Sequence, residues 1–65
     1  MSKILKALTD RYNAQISEAK ATLEIYLNKS VGIGEHPEIV EAIETEVAKL
    51  AEAEDKLETV KRNFS

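Results

Sequence analysis

The chain has 65 residues, with 9 Lys or Arg, 12 Asp or Glu and one His, for a net charge of −3. At this length it forms one small domain, residues 1–65. A single core of that size rarely supplies more than about 3–5 kcal/mol, so stability has to come from a disulfide, a metal, a partner or very regular packing. No cysteine is present, which excludes disulfides and thiolate metal sites, and a lone histidine excludes a multi-histidine site.

Ala, Glu, Lys and Leu dominate, the composition of long helices and coiled coils rather than of sheets. The acidic balance argues against nucleic acid, because binding a phosphate backbone draws on Lys and Arg to release counterions. No apolar run approaches the ~20 residues of a membrane span. Two early lysines are not followed by an unbroken apolar stretch, so no secretion signal is expected. The absence of cysteine suits a reducing cytoplasm.

The first arm runs from Ser2 to about Lys29. Ser2 is suited to cap the helix, its hydroxyl accepting an amide of the first turn. Apolar positions then fall at Leu5, Leu8, Tyr12, Ile16, Ala19, Leu23 and Tyr26. Steps of three and four lay one stripe along a helix. Two successive steps of four, Leu8 to Tyr12 to Ile16, depart from a strict heptad and locally relax left-handed supercoiling. A fainter stripe of Ile4, Ala7, Ala14, Ala21 and Ile25 lies beside the first. Alanine there is either helix filler or a second close-packing face.

The corner spans residues 28–37 and holds both glycines, the only proline and the only histidine. Gly32 suits a left-handed residue closing the first helix, and Gly34 permits a second unusual backbone angle. Pro37 fits the first position of a new helix, where its missing amide hydrogen costs nothing, with His36 at or near the N-cap. The glycines flanking Ile33 do not make a phosphate loop: no Gly-Lys-Ser/Thr follows, and Glu35 would repel the anion. His36 has no second candidate ligand beside it. Val31 and Ile33 either tuck over the open end of the hairpin or form an apolar knuckle for a partner.

The second arm, 37–63, carries a stripe of Ile39 (with Val40), Ile43, Val47, Leu50, Ala53 or Glu54, Leu57, Val60 and, just past it, Phe64. Glu38 and Glu41 favour the positive start of the helix, and Lys61 and Arg62 its negative end. Glu52 with Lys56 and Glu58 with Arg62 are i,i+4 pairs in the favourable order.

In an antiparallel pair of helices, facing residue numbers share a constant total. Tyr26 with Ile39, Leu8 with Leu57 and Leu5 with Val60 total 65. Leu23 with Ile43, Ala19 with Val47 and Ile16 with Leu50 total 66. Tyr12 meets Ala53 at 65 or Glu54 at 66. The match holds in every layer, so the expected fold is all-α: an antiparallel two-helix hairpin, 2–29 and 37–63. Charge agrees. Residues 1–29 hold five basic and three acidic groups, +2, and residues 30–65 hold four and nine, −5. Opposite arms attract, which helps select partner and orientation.

Two helices shield only one side of each stripe, so the hairpin is expected to dimerise into a four-helix bundle or to bind another protein. The candidate interaction residues are Ile4, Ala7, Ala14, Ala21, Ile25, Val31 and Ile33, with Ala42, Ala48 and Ala51 on the second arm. The acidic outer face (Glu41, Glu44, Glu52, Asp55, Glu58) is either a solvated surface or a surface for a basic partner. No nucleophile–base pair, metal set or cofactor site can be proposed, so no enzyme is expected. The weaker alternative is a nucleic-acid-associated factor using Lys3, Lys6, Arg11 and Lys20, which are sparse and interleaved with acids.

The segment 31–43, Val-Gly-Ile-Gly-Glu-His-Pro-Glu-Ile-Val-Glu-Ala-Ile, resembles small uncharacterised helical proteins encoded by tailed phages of the T4 type. The resemblance implies a virus-encoded accessory protein acting in the cytoplasm of an infected host. It carries over no functional residues.

Overall fold

The computed structural model describes residues 2–29 and 37–64. Two helices account for nearly all of them: α1, Lys3–Lys29, and α2, Pro37–Phe64. They pack against each other along their length, giving a rod 47 × 15 × 12 Å in extent. The expectations placed on Val31, Gly32, Ile33, Gly34 and His36 lie outside the described residues.

Each helix start follows from its local sequence. The Leu5 amide donates to Ser2 Oγ at 3.1 Å, and the Lys6 amide donates to the Ser2 carbonyl at 2.9 Å. Ser2 is therefore the N-cap, satisfying a donor that has no partner within the first turn. Pro37 is the first residue of α2, with Glu38 in the first turn and Lys61 and Arg62 in the last. Threonines, weak helix formers, return their hydroxyls to the preceding turn. Thr9 donates to the Lys6 carbonyl, Thr45 to that of Glu41 and Thr59 to that of Asp55, at 2.8–2.9 Å.

The two stripes face each other in antiparallel sense. Residues 15–19 of α1 share a groove with residues 46–56 of α2. Tyr12 lies close enough to Lys56 to act on its charge. Ala19, Ala53 and Val60 are buried, and Leu5, Leu8, Tyr12, Ile16, Leu23, Tyr26, Ile39, Ile43, Leu50 and Leu57 are half-buried. In α1 the burial follows Ile16 rather than Gln15, so the double step of four is real.

Three expectations for α2 are corrected. Val40, expected on the stripe beside Ile39, is 62% exposed. Val47 does not face Ala19; it is 48% exposed, and Glu46 takes its place with a side chain only 14% exposed. Positions 39, 43, 46, 50, 53, 57 and 60 alternate steps of four and three, the strict heptad that keeps one seam turned toward a partner helix. Residue 47 is one step, ~100°, off that seam. The small Ala19 leaves room for the methylenes of Glu46 while its carboxylate reaches toward water. Phe64 is 62% exposed. It lies beyond the Leu5–Val60 layer, at the level where α1 begins, so among the described residues no further turn of α1 stands opposite to cover it.

Candidate interaction surfaces

The seam divides the hairpin into two broad sides of different chemistry. On one side Gln15 and Glu18 of α1 and Glu46, Lys49, Glu52 and Lys56 of α2 line a groove of about 280 Å³, floored by Ala19 and Ala53. The two alanines are each 3% exposed. Ala19 and Ala53 stand in different layers, opposite Glu46 and Tyr12, and their small side chains leave the long polar chains standing as walls.

The walls are tied together along α2. Lys49 Nζ lies 3.0 Å from Glu46 Oε2, and Lys56 Nζ lies 2.7 Å from Glu52 Oε1. The hydrogen bond from Lys56, and then its charge, holds the Glu52 carboxyl below the usual glutamate range. The same bond and charge push the Lys56 ammonium up, with a lesser contribution from Tyr12. A third pair, Lys6 with Asp10 at 2.9 Å, sits on α1. The anticipated Glu58–Arg62 pair is not among the ion pairs of the described residues.

Two of the groove's carboxylates, Glu46 and Glu52, are thus partnered by lysines one turn away, and its lining residues include no hydroxyl, thiol or imidazole. Among the described residues, no group of His, Asp or Glu is placed to hold a metal ion. A shallower hollow on α2 is bordered by Glu41, Glu44, Thr45, Ala48, Lys49 and Glu52, which puts part of the acidic outer face on an open surface.

On the opposite side of the seam the rim is apolar at one end, and exposed Lys20 of α1 and Glu54, Glu58 and Lys61 of α2 follow along the same flank. Leu27 of α1 is 56% exposed, and Val40 and Val47 of α2 are 62% and 48% exposed. At ~100° per residue these three fall on the same flank, bordering the half-buried Leu23 and Ile43. Sequence reasoning missed this patch because it placed Val40 and Val47 on the seam stripe. Following the strict heptad through α2, although it puts a glutamate at a seam position, would have found it.

The fainter α1 stripe is exposed throughout: Ile4 is 82% and Ile25 54% exposed, and Ala7, Ala14 and Ala21 are on the surface. Ala7, Ala14, Ala21 and Ile25 follow the back of α1, whereas Ala48 and Ala51 follow the back of α2 and Ala42 is half-buried near the seam. The structure does not bring these two sets together on one face. Among the described residues, no helix is long and apolar enough to cross a membrane.

No protein-family model, curated protein or solved structure matches the chain.

Proposed function

We propose that this hairpin is a non-enzymatic interaction module that works by self-association, as a homodimeric four-helix bundle, or by adapting or inhibiting a protein partner. One observation supports this reading above the others. The described residues bury Ala19, Ala53 and Val60 and no large side chain fully, while Ile4, Ile25, Leu27, Val40, Val47 and Phe64 stay about half exposed or more. A helix whose apolar residues extend past its one covered stripe gains by covering the remainder. The setting we propose is the one the phage resemblance implies, a viral accessory protein in the host cytoplasm.

The test is sedimentation velocity with parallel circular dichroism from about 1 µM to about 1 mM protein. Self-association predicts a concentration-dependent shift to the dimer accompanied by a gain in thermal stability. A fully helical monomer over the whole range refutes it.

A further inference from the structure

We propose that a second copy of this chain docks on the side of the hairpin carrying Leu27, Val40 and Val47, with the two bends at the same end of the assembly. This rests on the self-association reading and specifies its surface and geometry.

The choice of side follows from what each offers. The groove side is walled by Glu18, Glu46, Lys49, Glu52 and Lys56. Covering it would strip water from five charged groups. The other side offers three exposed aliphatic side chains from both helices, with half-buried Leu23 and Ile43 between them; its charged groups are Lys20 beside this patch and Glu54, Glu58 and Lys61 further along α2. Interface centres are depleted in charge and rich in such groups.

The choice of occupant follows from size and charge. One side of the rod, 47 by 15 Å, has a footprint of about 700 Å². A stable dimer of ordinary size covers about 800 Å² on each partner, so two hairpins laid side to side come close to that area with no further chain. With the bends at the same end, a two-fold axis parallel to the helices lays each α1 over the partner's α2. That sets the basic arm of one copy on the acidic arm of the other. Reversing one hairpin instead would set α2 on α2, with eight acidic and four basic groups on each.

Register agrees. In the hairpin an α1 residue stands level with the α2 residue that brings the total to 65, and the same-end axis preserves levels. Leu27 then comes beside the partner's Val40, and Lys20 beside the partner's Val47 and Glu44. The Lys20 methylenes can cover the valine while the ammonium reaches the carboxylate.

The chain has no cysteine, so single labels are straightforward. Three variants are compared with the parent by sedimentation: Val40→Glu with Val47→Glu, Leu27→Lys, and Ala14→Glu with Ala21→Glu on the back of α1. We expect the first to raise the dimer dissociation constant by about 100-fold or more and the second by about tenfold, with the third within about threefold of the parent. Leu27→Lys reads the same face from the other helix should the α2 variant lose helicity. A spin label on Arg62→Cys is expected to give an inter-label distance of about 20–35 Å, the width of a four-helix bundle. Dimers that survive the changes at 27, 40 and 47 but dissociate with those at 14 and 21 overturn the surface while leaving self-association intact. A label separation near the full 47 Å overturns the same-end arrangement. A parent chain that stays monomeric overturns this proposal and the self-association reading together.

Discussion

Glu46 occupies a seam position that every other layer of α2 fills with an apolar side chain, so Glu46→Leu should stabilise the hairpin. The glutamate side chain retains 14% of its exposure, and a leucine there would be mostly buried. Complete burial of leucine contributes about 1.5–3 kcal/mol relative to the exposed side chain. The groove of about 280 Å³ beside Ala19 leaves part of the new surface without neighbours, which roughly halves that gain. The ion pair lost in exchange involves a lysine that is 65% exposed, and such pairs contribute about 0–1 kcal/mol. The expected net stabilisation is about 1 kcal/mol. For a chain of this size that raises Tm by about 4–8 °C. Thermal melts followed by circular dichroism should be run at one fixed protein concentration, because association also shifts Tm. Asp55→Leu, on the exposed face of the same helix and away from the groove and the proposed dimer surface, is the control and should stay within about 0.5 kcal/mol of the parent. A fall in Tm for Glu46→Leu, or an equal rise for Asp55→Leu, would refute the placement of residue 46 in the seam.

Two other outcomes follow from particular residues. Ala53 is 3% exposed in the layer opposite Tyr12, so Ala53→Leu should overpack the seam and cost about 1–3 kcal/mol, read as a lower urea midpoint; an unchanged midpoint would mean that this layer has room for a larger side chain. The Glu52–Lys56 pair has a definite pH signature. Glu52 is depressed in the folded state, so its contribution is present above the unfolded glutamate pKa and fades as pH falls through the folded value. Lys56 is raised, so its contribution is present below the unfolded lysine pKa and fades as pH rises through the folded value. The stability difference between the parent and Lys56→Gln should therefore be small and greatest near neutrality, shrinking toward about pH 3 and about pH 11; a difference constant across that range contradicts the assignment.

Much of the hairpin is legible in the chain itself. Ser2 caps α1 through a hydrogen bond only three residues long, and Pro37 opens α2 because its ring geometry and missing amide suit a first turn. Spacings of three and four residues define a stripe on each arm, and the nearly constant total of facing numbers lines the stripes up, because two rigid helices that share a bend have one axial register. These are local or strictly periodic properties, and periodicity survives without knowledge of the partner helix.

Only the tertiary structure settled which way α2 is rotated about its own axis. By hydrophobicity Val47 outranks Glu46, and a reading that maximises apolar residues in the seam selects the valine. The packed helix has to keep all seven layers facing α1 at once, and moving Val47 inward would turn its neighbours in the heptad outward. Across from that layer stands Ala19, small enough to admit the stem of a glutamate whose head meets Lys49. That single rotation places the charged groove on one side of the rod and the exposed Leu27, Val40 and Val47 on the other. Rotation of a helix is a property of the pair, set by the summed packing of all layers, and no one residue in the sequence records it.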